Sequence, residues 1–353
     1  MSAEDSALPR LRGLVRERLG VEPAALEPLH EGMALRRFYR VRLPAGVRPA
    51  SVVARIEGPE DPARRPAGLP PEPPLEPLRS FLEAAGLPVP ALLARDREAG
   101  IELLEDVGPL SLRDALAEAS ACEREALYTE ACDLVPRLQA VRDPGGALPA
   151  FQRRLGRPFF DYKASFFVRW SLPQALGREP RPAEAEVVRE AFAAVAEAAE
   201  AAPARLSHRD LQSSNLLLRP GAPPGARLVM IDLQGAWLAP PEYDLVCLLR
   251  DSYVELAPEE QRAQLARVRP LLPDAPPSDA FLRRFELLTL SRKGKDHAVF
   301  FYHASRGDTR WLRFVPTTVR HLRAAAAAVA DTDPRIGRLA ELVSALPEQP
   351  CAP

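Results

Sequence analysis

Lysine is almost missing from this chain. Only Lys163, Lys293 and Lys295 occur in 353 residues, so positive charge is carried by arginine. A compact ammonium is therefore excluded from every position before Lys163, and an anion held there must meet the planar fork of an arginine. An excess of either charge is missing too: 47 basic against 48 acidic residues leave a formal net charge of -1. That balance excludes a global attraction to a nucleic acid backbone or an anionic membrane surface. No apolar run is long enough to cross a bilayer, and the opening residues MSAEDSALPRLRGLVRERLG mix acids and arginines into what would be the apolar core of a signal peptide. The four cysteines, Cys122, Cys132, Cys247 and Cys351, lack the close spacing of a zinc site or a disulfide framework. They are expected to be reduced thiols in a cytoplasmic protein, and the chain is expected to act as a monomer.

The length exceeds what one hydrophobic core fills, which predicts two lobes around a cleft. Apolar spacing predicts a helix over 7–20, then short β-prone runs at 38–43 and 51–56 separated by Pro44-Ala45-Gly46. Proline density over Gly58–Pro77 predicts a mobile connector, followed by a helix over 75–85. A third strand-like run at 101–106 ends at Val107-Gly108, the natural boundary between a first lobe, 1–108, and a second, 109–353. Helices are expected at 111–120, 122–141, 161–171 and 183–201. A compact hairpin then pairs Leu216–Leu218 with 227–231, and further helices cover 242–255, 258–267, 279–305 and 316–345. The fold class is α+β, with a small β-rich lobe followed by a larger helical lobe that carries an embedded hairpin.

Chemistry concentrates in His208-Arg209-Asp210-Leu211-Gln212-Ser213-Ser214-Asn215, with Asp232 following at the end of the hairpin. Phosphoryl transfer requires little covalent chemistry of a protein. It requires a carboxylate to orient the attacking hydroxyl and a few oxygen ligands to hold magnesium on nucleotide phosphates. Asp210 supplies the first, and Asn215 and Asp232 supply the second, because Mg²⁺ takes few protein oxygens and completes its shell with phosphate and water. His208 is expected to brace the loop, since Asp210 already fills the chemical role.

These residues resemble the aminoglycoside phosphotransferase family, whose members share the protein-kinase-like two-lobed fold. Within it, HRDLQSSN and IDLQGAWLAPPEYDLVCLLRDSYV are similar to the branch that contains the anomeric N-acetylmuramate and N-acetylglucosamine kinases. Further likeness lies in Ala34–Val41, in Leu87–Pro90 with Leu103–Gly108, and in Leu290–Lys295. The resemblance implies ATP and Mg²⁺ as cofactors and a small-molecule sugar as the acceptor. It places Arg55 where a kinase carries its phosphate-binding lysine, with Glu76 on the next helix as its partner. Glu105 at the lobe boundary joins them on the nucleotide side, and His30-Glu31-Gly32-Met33 would form the turn over the phosphates.

Asp244 either caps its own helix or reaches back to the catalytic loop, and the resemblance favours the second. Arg250 and Asp251 are assigned to the acceptor pocket. Arg292 and Lys295, three apart on one helical face, are assigned there too, to meet an anionic or polar group of the substrate. The branch usually carries Gln where Ser291 stands, and often Asp where Gly235 stands. The leading expectation is an ATP-dependent kinase for the C1 hydroxyl of an N-acetylated amino sugar. A kinase for another sugar, a choline-like alcohol or an aminoglycoside stays open beside it, as does a nucleotide-binding chain without turnover.

Overall fold

The computed structural model describes residues 3–29, 36–58 and 71–349. The expected phosphate-covering turn, most of the expected mobile connector and Cys351 lie outside them. Helix α1 (Ala3–Leu19) precedes strands β1 (Ala25–Leu29), β2 (Arg37–Arg42) and β3 (Ser51–Ile56), helix α2 (Leu78–Ala84), and strands β4 (Leu92–Asp96) and β5 (Ile101–Glu105). The five strands form one antiparallel sheet in the order β1-β2-β3-β5-β4. Because strand side chains alternate between faces, Val41, Val52, Ala54, Ile56, Ile101 and Leu103 bury one face against Leu11, Leu14 and Val15 of α1. The opposite face carries Arg40, Arg55 and Glu102, the last two in register across β3 and β5.

The second lobe runs α3 (Leu112–Glu118), α4 (Ala121–Gln139), α5 (Pro149–Gln152), α6 (Arg157–Trp170), α7 (Leu172–Leu176) and α8 (Pro182–Glu200). Four short strands follow, β6 (Arg205–Ser207), β7 (Leu216–Leu218), β8 (Leu228–Met230) and β9 (Trp237–Ala239). The chain closes with α9 (Tyr243–Leu249), α10 (Pro258–Val268), α11 (Ser278–Ala304), α12 (Val315–Val329) and α13 (Pro334–Ser344). Serine caps begin α3 and α4, with Ser111 accepting from the Asp114 amide and Ser120 from that of Glu123. Leu75, Leu78 and Leu82 of α2 and its approach, with Leu87, Val89 and Leu104, bury themselves in the same large core as the helices of the second lobe.

Several elements differ from expectation. Strands β1, β4, β6 and β9 and helices α5 and α7 are additions, each five residues or shorter, too brief for a hydrophobic period to register. The helix expected over 242–255 stops at Leu249 because the Asp251 carboxylate accepts from the Tyr253 amide at 2.9 Å, a local bond that competes with the helical ladder. The helix expected over 316–345 is two. Pro334 forces Asp333 into an extended conformation, and Asp333 then caps α13 by accepting from the Arg335 amide. Among the described residues no helix is long and apolar enough to cross a membrane.

Candidate active site

The loop from Ser207 to Asn215 leaves β6 and leads into β7, strands of two separate two-stranded sheets, so a paired strand fixes each of its ends. β6 pairs with β9 and β7 with β8. Arg209 takes a left-handed φ of 80° and Asp232 one of 63°, a conformation that costs non-glycine residues energy and persists only where surroundings enforce it. The enforcement is visible. Asp244, in the first turn of α9, accepts from Ser207 Oγ at 2.8 Å, from the His208 amide at 2.8 Å and from the Arg209 amide at 3.1 Å. The Cys247 thiol, one turn on, donates to the Arg209 carbonyl; burial pushes its pKa up to about 12, so it stays a neutral donor. His208 Nε2 donates to the Ile231 carbonyl at 2.9 Å, which ties the loop to the residue before Asp232.

Asn215 and Asp232 are brought together by the hairpin: the Ile231 amide donates to the Asn215 carbonyl at 3.0 Å. Asn215 Nδ2 donates to the Asp210 carbonyl at 2.8 Å, so its Oδ1 is the atom of that side chain with no partner among the described residues. This oxygen and the exposed carboxylate of Asp232 make a hard, two-ligand set. No cluster of three or more acidic, histidine or cysteine side chains suited to a metal occurs among the described residues. The set fits Mg²⁺, which keeps water and phosphate oxygens, and does not fit an ion needing a full protein cage.

Asp210 lies between two guanidiniums. Arg292 of α11 donates to its Oδ1, and Arg209 Nε stands 3.6 Å from its Oδ2. Burial works to raise the Asp210 pKa, but the charges of Arg292, Arg209 and Lys295 outweigh it and hold the carboxyl well below its usual range. Arg292 also reaches Gln212 Oε1 and Asp296. Lys295 is partly exposed, 3.8 Å from Asp296. Burial and the Arg292 charge lower its pKa, with Asp296 opposing them.

Other expected site residues land elsewhere. Arg55 is buried, 2.8 Å from Glu102 and 2.7 Å from Glu57, while Glu76 pairs with Arg79 within its own helical approach. The expected Arg55–Glu76 pair is thus replaced by nearer partners: strand register sets Glu102 opposite Arg55, and helical spacing sets Arg79 one turn from Glu76. Glu105 accepts from Arg219 at 2.8 Å and from the Ala91 amide at 3.2 Å, where the lobes join. Asp251 is buried and accepts from the Ser213 amide and hydroxyl at 2.8 and 2.6 Å, which commits its carboxylate to the 207–215 loop and away from a pocket. Arg250 pairs with Glu286 at 2.7 Å, so its charge is neutralised within the helical packing.

Two residues near the loop, Glu72 and Lys163, escaped the sequence pattern. Glu72 bridges Arg36 and Arg209, and no spacing motif marks it because its partners lie 36 and 137 residues away. Gly235 leaves room for that bridge, since a Cβ there would lie 2.9 Å from Arg209 Nη1. Lys163 of α6 is buried, with Nζ 3.2 Å from the Tyr243 hydroxyl and 3.3 Å from Ser291 Oγ. Burial and the Arg292 charge lower its pKa to about 7. A lysine whose folded pKa is depressed is destabilising while protonated. The unfolded chain then holds more protons between about pH 7 and the ordinary lysine range, so stability from this group rises with pH across that window. Lys163→Met is expected to abolish this increment. Denaturant titrations of both proteins from pH 7 to 10 check it; a stability difference that is flat with pH rejects the depressed value.

The sequence pattern of the phosphotransferase enzyme family matches residues 26–281. The N-acetylmuramate/N-acetylglucosamine kinase of Pseudomonas aeruginosa is 30% identical over 351 residues, covering 98% of this chain and 95% of that protein. The enzyme of the same name from Neisseria meningitidis is 28% identical, covering 72% of this chain and 75% of its own. Among solved structures, ADP-bound aminoglycoside phosphotransferase APH(2'')-Ib superposes with a TM-score of 0.58 at 15% identity, covering 91% of this chain and 97% of that one. Choline kinase LicA from Streptococcus pneumoniae superposes with a TM-score of 0.58 at 16% identity, covering 92% and 100%. These likenesses establish the kinase-like two-lobed fold.

Proposed function

The chain belongs to the phosphotransferase enzyme family, and we propose that it uses ATP and Mg²⁺ to phosphorylate the C1 hydroxyl of N-acetylmuramate or N-acetylglucosamine, in cytoplasmic salvage of cell-wall sugars. Residues 1–108 form the nucleotide-binding lobe, and 109–353 form the helical lobe that carries the catalytic loop and the acceptor pocket. The observation that carries this reading is Asp210, kept ionised between Arg209 and Arg292 on a loop whose far end presents Asn215 beside Asp232. Its support on the acceptor side is the amino-sugar kinase named by both relatives.

Asp210 orients the acceptor hydroxyl and takes its proton as the bond from that oxygen to the γ-phosphorus forms and the bond to the departing ADP breaks. Asn215 and Asp232 hold the magnesium, which supplies charge neutralisation on the phosphates. Arg292 and Lys295 are placed at the acceptor end, where the partly exposed Lys295 would meet the carboxylate of an acidic sugar and disfavour the polycationic aminoglycosides. The anomeric hydroxyl is the most acidic of a free sugar, so it asks least of Asp210.

A methyl glycoside has no proton on the C1 oxygen. Methyl N-acetylglucosaminide is therefore expected to give no product, while free N-acetylglucosamine or N-acetylmuramate gives an acid-labile phosphate coupled to the anomeric proton. Phosphorus NMR of the two reactions checks it, and a product carrying phosphate on C6 rejects the C1 assignment.

A further inference from the structure

Arg36 stands at the entry to β2 and Arg209 on the catalytic loop of the other lobe, yet both guanidiniums close on one carboxylate. Arg36 Nη2 lies 2.7 Å from Glu72 Oε2, and Arg209 Nη1 donates to Glu72 Oε1. Glu72 belongs to the irregular stretch Pro71-Glu72-Pro73-Pro74 and is not part of either hydrophobic core. Burial works to raise its pKa, but Arg209 and Arg36 hold it lowered, so it is an anion. A Cβ on Gly235, three residues after Asp232, would lie 2.9 Å from Arg209 Nη1 and 3.5 Å from Glu72 Oε1, which sets this two-arginine clamp against the segment that carries the carboxylate assigned to magnesium.

Resting on the kinase reading above, we infer that Glu72 stands in for nucleotide phosphate, and that Arg36 and Arg209 receive the phosphates when its carboxylate is displaced. Two planar forks are built to meet phosphate oxygens in pairs. A polyphosphate brings more charge and more acceptor oxygens than one carboxylate, so the exchange favours nucleotide. The inference also accounts for the missing lysine. Arg55, the expected substitute, is already shared between Glu57 and Glu102; Arg36 also touches Glu57, at 3.4 Å, but its nearer partner, at 2.7 Å, is Glu72 of the irregular stretch.

The test is calorimetric binding of the β,γ-imido analogue of ATP with Mg²⁺ to the full chain, with adenosine as the phosphate-free control. Arg36→Ala is expected to weaken the analogue by about tenfold or more. Glu72→Gln is expected to tighten it several-fold by removing the competing anion. Adenosine affinity stays unchanged in both. A gain in affinity on losing Glu72 cannot come from misfolding, so this variant keeps the inference testable where Arg36→Ala folds poorly. Unchanged analogue affinity in Glu72→Gln, or equal losses for analogue and adenosine in Arg36→Ala, overturns it. A wild-type chain that binds neither ligand overturns the kinase reading and this inference together.

Discussion

Asp210→Asn is expected to lower turnover by about two to four orders of magnitude while leaving the fold and nucleotide affinity close to wild type. The amide keeps the shape and one acceptor oxygen but can neither take the acceptor proton nor balance the two guanidiniums beside it. Both arginines have other partners: Arg209 holds Glu72, and Arg292 reaches Asp296 at 3.3 Å and Gln212 at 3.2 Å. The variant therefore strands no unpaired charge, which is why its defect is expected in turnover and not in stability. Steady-state kinetics with the free sugar, beside a thermal melt and nucleotide calorimetry, separate the two. Activity within tenfold of wild type removes Asp210 from the role. Because neighbouring arginines hold the Asp210 pKa well below the carboxylate range, its protonation is not expected to shape the acid limb of the pH profile.

Asp244→Ala is expected to be the most destabilising single change at the site, by about 3–5 kcal/mol. The residue is buried, 1% exposed, and its carboxylate satisfies one hydroxyl and two backbone amides. Alanine leaves the Ser207 hydroxyl and the His208 amide unpaired, leaves the Arg209 amide with only Ser207 Oγ at 3.2 Å, and releases the strained backbone at Arg209. Asp244→Asn keeps an acceptor oxygen and is expected to recover part of the loss. Urea unfolding of the three proteins measures it, and a loss below about 1 kcal/mol for alanine would mean the loop is held by something else.

The 207–215 loop with Asp232 was legible in the sequence as one constellation because its residues are close in the chain and each type has one obvious task. Asp210, Asn215 and Asp232 sit five and seventeen positions apart, joined by a hairpin whose strands carry continuous apolar runs. The sheet was legible for the same reason, through β2, β3 and β5, whose branched and aromatic residues are dense. What stayed hidden depends on pairings between distant segments. Arg55 looked like a cleft cation, and only strand register reveals Glu102 as its partner. Asp251 and Arg250 looked like pocket residues because charge on a helix end gives no direction, whereas the packing turns Asp251 onto Ser213 and Arg250 onto Glu286. Glu72 carries no local signal at all.

The burial of α2, Leu87, Val89 and Leu104 in the larger core has a consequence for how this molecule can be dissected or inherited. A gene cut at Gly108, where the chain passes from sheet to helices, would leave the first fragment with an uncovered leucine face and the second with a matching hollow, each an aggregation hazard. The α1-backed sheet has its own small core, but its partner helix belongs by packing to the other side. Exchange of halves between relatives thus has no clean junction: a cut before α2 parts β4 and β5 from the sheet they complete, and a cut at Gly108 parts α2 from the core it fills, because the piece that reads as a module along the chain is not one in space.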